Sequence, residues 1–209
     1  MAETRERLKR GERRLQILQV LAQMLETPAG EKITTAALAA RIDVSEAALY
    51  RHFASKAQMF EGLIEFIESS IFGVANKITA DEENGLKQLY AMVNMLLGFA
   101  ETNPGMTRVL IGDALVNEND RLQARINQLM DRIEATLKQC LRLAATQAVE
   151  AAQAAGGDTA KPPESAADPS PQANLILCYV IGRWHQFAKS GFKKKPTEGA
   201  DKQLPLLLT

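Results

Sequence analysis

The 209-residue chain has only two cysteines, two histidines and one tryptophan, and its formal net charge is zero. Two cysteines cannot frame a disulfide-stapled fold. Cys140 and Cys178 sit inside apolar helical patterns without metal-ligand spacing, which fits buried thiols in a reducing, cytosolic setting. Of the histidines, His52 lies in a short polar segment, and His185 has no acid or nucleophile at helical spacing. We therefore expect no enzyme, no metal and no cofactor. No window holds the roughly 20 apolar residues of a membrane span, and the opening "MAETRERLKR" lacks the apolar core of a secretory signal. Alternating strand patterns are missing throughout, so the expected fold class is all-α.

Zero net charge gives no bulk signal for nucleic acid, but its distribution is uneven. The first 60 residues carry ten basic against seven acidic side chains, and the remainder is acidic by the same margin. A basic front and an acidic rear suggest that the front faces nucleic acid. Residues 1–14 read as a basic arm. Leu15, Leu18, Leu21, Ala22 and Leu25 then mark a first helix, ended by "TPAGEK" at 27–32. "TTAALAARI" predicts a short helix burying Ala37, Leu38 and Ile42, and "SEAALYRHF" a second one with Ser45 as N-cap and Glu46 in its first turn. Only Asp43-Val44 separates them, the spacing of a helix-turn-helix.

Ser55 and Gln58 form an S-x-x-Q capping box that starts a third helix at once. Its stripe of Phe60, Leu63, Ile64, Ile67, Ile71, Val74 and Ile78 predicts a rod over about 30 Å long. Leu86, Leu89, Val93, Leu96 and Leu97 mark the next helix, closed by "NPG", and residues 106–117 carry a short apolar one. Leu122 to Leu141 step by three or four, as either a coiled-coil seam or a core helix. "AAGGDTAKPPESAADPSPQ", residues 154–172, reads as a flexible loop, followed by a strongly apolar final helix at about 173–189.

The segment "SEAALYRHFASK" is too polar to be chosen by packing. A helix enters the major groove only if small residues let its backbone approach and its tips reach bases or phosphates. Ala47 and Ala48 are small, Ser45, Tyr50 and His52 carry hydrogen-bonding tips, and Arg51 and Lys56 bring positive charge. Lys56 falls in the first turn of the long helix, where free N–H groups already favour a phosphate. Thr34 and Thr35, opening the preceding helix, are placed to hold the DNA backbone as well. Most of these groups position the duplex and few read sequence.

Together, "ITTAALAARIDVSEAALYRHFASKAQMF" resembles the DNA-binding segment of the TetR family, over roughly residues 15–62. Asp43 replaces the glycine usual in that turn, and Asp tolerates the left-handed conformation. "LIEFIE", "LLGFAETNPGMTRVLIGDAL" and "DRLQARINQLMDRIEATL" extend the likeness to about residue 140, toward the family's nucleoid occlusion branch. The resemblance implies an N-terminal helix-turn-helix domain, 1–56, and a C-terminal helical dimerisation domain, 57–209. It further implies a homodimer on palindromic double-stranded DNA, a nucleoid location, and antagonism of the division protein FtsZ. Carried over residue by residue, the DNA contacts are Thr34, Ser45, Ala48, Tyr50, His52 and Lys56. The FtsZ-facing groove falls on Phe66, Ser70, Met95, Gly98, Phe99 and Asn103. Val74 and Thr102 stand where relatives often carry arginine, and losing both would weaken pairing with an acidic peptide.

A second reading is a ligand-released transcriptional repressor, the common occupation of the wider family, with Met92, Tyr179, Trp184 and His185 lining a pocket. Both readings need a dimer, for which "LILCYVIGRW" and the 122–141 stripe are the candidate interfaces.

Overall fold

A computed structural model describes residues 10–27, 33–155 and 168–207, and every regular element among them is helical. The helices are α1 (Arg10–Leu25), α2 (Thr35–Arg41), α3 (Glu46–Tyr50), α4 (Lys56–Asp81), α5 (Gly85–Thr102), α6 (Pro104–Leu110), α7 (Asp120–Ala154), α8 (Ser170–Lys189) and α9 (Ala200–Leu207). The all-α expectation holds. The basic arm before residue 10 and the centre of the 154–172 segment lie outside the described residues.

The two short helices begin where their caps are. Thr34 accepts from the Ala37 N–H at 3.1 Å and Ser45 from the Ala48 N–H at 3.2 Å, each closing one orphan donor of a first turn. Between them Asp43 takes φ 52°, the left-handed conformation expected of this turn. At the third start Ser55 accepts from the Gln58 N–H at 3.2 Å, while Gln58 reaches back one residue further than a regular box, to the Ala54 N–H at 2.8 Å.

Helices α1–α3 form a head around the start of α4. Ile17, Leu18, Leu21, Leu38, Leu49, Phe53, Phe60 and Leu63 are buried together. Behind it α5 packs against α4, α7 and α8 as the body. There Trp184 is completely buried, and its indole N–H donates to the Leu96 carbonyl at 3.1 Å. The stripe from Leu122 through Leu141 is buried within the chain itself, so α7 is a core helix in this protomer.

Several expectations from spacing need correcting. Leu86 is exposed in the first turn of α5, and Leu15 is exposed because Ile17, two residues on, carries the α1 core position. Val74 is 47% exposed, since α4 turns Ala75 inward at that level. Ala37 faces out and Ala39 faces in. Helix α1 starts at Arg10, five residues before its first apolar residue. The 106–117 helix stops at Leu110 because Gly112 adopts φ 77°, and a 3-10 turn at Asp113–Leu115 follows. α8 begins at Ser170, inside the expected loop, and it exposes Cys178, so only Cys140 is the buried thiol expected of both. α9 is unforeseen; it docks through Ala200 and Leu204 and tolerates Pro205 in its interior.

Candidate nucleic-acid interface

Leu49 and Phe53 bury one side of α3 and so expose the other. Ser45, Glu46, Ala47, Tyr50 and Arg51 all face solvent, with Ala48 half-buried between. A five-residue helix cannot hold itself in this pose, and its neighbours do so. The Thr35 hydroxyl donates to the Glu46 carboxylate at 2.6 Å and accepts from the Tyr50 hydroxyl at 3.5 Å, tying α2 to both ends of α3. The Arg14 guanidinium stacks 4.1 Å from the Phe53 ring centroid and donates to the His52 carbonyl, fixing the C-terminal end of the reader.

The structure therefore gathers Thr34, Thr35, Ser45, Ala48, Tyr50, Arg51 and His52 on one end of the head. Three of them also have structural duties. Thr34 and Ser45 spend their oxygens on caps, though each hydroxyl proton remains to donate, and Thr35 is a hub between helices. His52 is half-buried. Lys56 is engaged elsewhere: its ammonium pairs with the Glu118 carboxylate in the connection ahead of α7, and the two side chains are only 23% and 15% exposed. Arg14, Glu46 and Glu118 had no signal in the sequence, since their partners stand 38, 11 and 62 residues away.

The second set of expected residues runs along α4 and α5, which turn back on each other through residues 82–84 and pack together. Phe66, Ser70, Met95, Gly98, Phe99 and Asn103 are all half-buried, so none is a core residue proper. Ser70 donates to the Phe66 carbonyl at 2.8 Å, and the Asn103 amide donates to the Phe99 carbonyl at 2.8 Å and to the Thr102 hydroxyl at 2.9 Å. A Cβ placed on Gly98 would meet nothing within 4 Å, which leaves the backbone of α5 open at that point.

The pocket residues of the repressor reading do not converge. Met92 and Trp184 are buried in packing, the Tyr179 hydroxyl donates to Gln203 at 2.8 Å, and His185 faces solvent. A cleft of about 520 Å³ does open between head and body, lined by Arg41, Lys56, Phe60, Arg108, Asp113 and Glu118 among others. On its body side burial would raise the Asp113 carboxyl, but bonds from Arg108 at 2.7 Å and Lys189 at 3.2 Å outweigh it and hold the group below its ordinary value. Among the described residues no cluster of His, Cys, Asp or Glu could hold a metal ion, and no helix is long and apolar enough to cross a membrane.

A capped, outward-facing α3 carried by α1 and α2 on a helical body defines a helix-turn-helix regulator. Residues 17–63 match the bacterial regulatory proteins of the tetR family, and residues 83–209 match the SlmA-like tetracyclin repressor-like C-terminal domain. The chain is 50% identical over 196 residues to the nucleoid occlusion factor SlmA of Alteromonas mediterranea, covering 94% of each chain. It is 49% identical over 186 residues to that of Idiomarina loihiensis, covering 89% of this chain and 88% of the other. The chain belongs to the SlmA family of nucleoid occlusion factors within the tetR class. Its fold is shared with the transcriptional regulator FadR of Bacillus subtilis, solved with stearoyl-CoA, at a TM-score of 0.65, 13% identity, and 93% and 97% coverage. The likeness to SlmA continues through the last third of the chain, beyond the limit near residue 140 expected from the motifs.

Proposed function

We propose that two copies of this chain place their α3 helices in successive major grooves of a palindromic site, and that the DNA-bound dimer antagonises FtsZ assembly. The reading is supported above all by about 50% identity to SlmA over nearly the whole of both chains, joined to a reader helix whose polar side faces solvent. Thr34, Thr35, Tyr50, Arg51 and Lys56 serve the phosphates, while Ser45, Ala48 and His52 lie against base edges. Residues through 56 form the DNA-binding unit and those from 57 the dimerisation and partner-binding unit.

The dimer face is assigned to α8. Leu175, Cys178, Gly182 and His185 recur on one exposed side, flanked by half-buried Ile181, and a Cβ on Gly182 would meet nothing within 4 Å in the single chain. An apolar stripe with a bare glycine suits close approach of a symmetry mate's helix. The alternative seam on α7 is already spent inside the protomer.

FtsZ is assigned to the α4–α5 face around Phe66, Ser70, Met95, Gly98, Phe99 and Asn103. Exposed Val74 and Thr102 make that face less cationic than an arginine pair would. Light scattering of polymerising FtsZ tests the proposal. The protein with its palindromic duplex should suppress assembly more than protein alone or with scrambled duplex, and equal effects in all three mixtures would refute it.

A further inference from the structure

Lys56 carries two assignments that its single ammonium cannot satisfy together. As the first residue of α4 it should face a DNA phosphate, the role given to it above, on which this inference rests. In the structure the ammonium lies instead on the body side, paired with Glu118 across the head–body cleft and 5.7 Å from the Phe60 ring centroid. Glu118 is not there by accident of a long side chain. Asn117 adopts φ 64°, a left-handed turn, and the Glu118 N–H donates to the Leu115 carbonyl at 3.0 Å. These aim the carboxylate back at the head while Val116 is left two-thirds exposed. The connection is also tied to α6, whose Arg108 reaches the head. Arg108 bonds Asp113 and also donates to the Leu25 and Thr27 carbonyls at 3.1 and 3.3 Å, capping the end of α1.

We infer that Glu118 competes with the DNA backbone for Lys56: the ion pair latches the head to the 111–119 connection, and DNA binding must open it. The bonds from Arg108 of α6 to the end of α1 persist, so the head keeps its attachment, while the connection ahead of α7 loses its anchor at Glu118 and keeps those at Asp113. DNA occupancy is thereby felt at the body, at the junction of α6 and α7. Open space in the cleft lets the latch part without breaking packed core.

The test uses the full chain and two duplexes: a palindromic site selected by the protein from a random library, and a scrambled duplex of equal length. Glu118→Gln should bind both about fivefold more tightly per dimer, the order expected for two partly exposed pairs. Its salt dependence should be steeper, because no freed carboxylate then takes up a cation when Lys56 moves to phosphate. The gain should vanish in Lys56→Ala/Glu118→Gln, and Glu118→Asp should fall between. Amide exchange over residues 112–119 should speed up on DNA binding in the wild type and be fast beforehand in Glu118→Gln. Equal or weaker binding by Glu118→Gln, or a gain that survives Lys56→Ala, overturns the latch while leaving the DNA reading intact. Failure of every form, wild type included, to bind either duplex overturns both.

Discussion

Gly105 of α6 and Ala22 of α1 meet backbone to backbone: a Cβ on Gly105 would stand 2.0 Å from the Ala22 carbonyl oxygen and 3.1 Å from the Leu25 Cβ. No real side chain fits there, and neither neighbour is a flexible tip that could swing aside. Gly105→Ala must push α1 away from α6, which loosens the head where it sits on the body. Overpacking of this kind costs about 2–3 kcal/mol. Thermal unfolding should fall by about 5–10 °C for a chain of this size, and an unchanged midpoint would mean that the two helices are free to part.

Caps on very short helices matter more than on long ones, because propagation contributes little. Thr34→Ala and Ser45→Ala should each lose about 1 kcal/mol of stability and, by freeing the start of α2 or α3, most of the affinity for duplex DNA. Sedimentation should still find dimers. Monomers in either variant would show that the head supports association.

Leu175 is 52% exposed on α8. Leu175→Glu would set a charge on each side of the symmetric contact proposed for α8. Light scattering should report a shift from dimer to monomer with circular dichroism unchanged, together with a large loss of DNA affinity as the second reader is lost. Retained dimers would place the interface elsewhere.

The carboxyl of Asp113 is held below its ordinary value, so its ionised form is favoured in the folded state. The sign follows by linkage: the contribution is present above the unfolded value, near pH 4, and is lost as pH falls through the lowered folded one. Asp113→Asn should therefore be less stable than the wild type at pH 7. Urea titrations should show the difference closing toward pH 3, and a constant difference across that range would assign the effect to packing.

The starts of α2, α3 and α4, the helix-turn-helix and the exposed polar side of α3 are legible from local signals. Thr34, Ser45 and Ser55 each stand at the caps their residue types favour, and Asp43 at the turn. Stripes were read with errors at single positions, Leu15 for Ile17 and Val74 for Ala75, because periodicity gives the face of a helix without its exact centre. α9 has no local signal: a Pro within eight residues argues against a helix until Ala200 and Leu204 find a surface to dock on.

Of the candidate site, the sequence supplied the residues and the structure supplied their engagements. By residue type Thr35 reads as a group that holds a DNA phosphate, and it is also the hub joining Glu46 and Tyr50. Lys56 looked free and is paired across 62 residues of chain. Likewise the 122–141 stripe was equally compatible with a seam between chains and a core within one, since burial of an apolar face does not name what buries it.

What the sequence determined alone was local: most of the helical segments, the starts of those with side-chain caps, and that a polar helix follows a tight turn near the front. Such features depend on neighbours within a few residues, through caps, spacing and backbone dihedrals. Which cation meets which carboxylate, which stripe is consumed within the protomer, and which face of α8 stays bare were decided only by the packing of helices distant in the chain. Those contacts arise when the apolar faces are buried together, and nothing in a single segment encodes its partner.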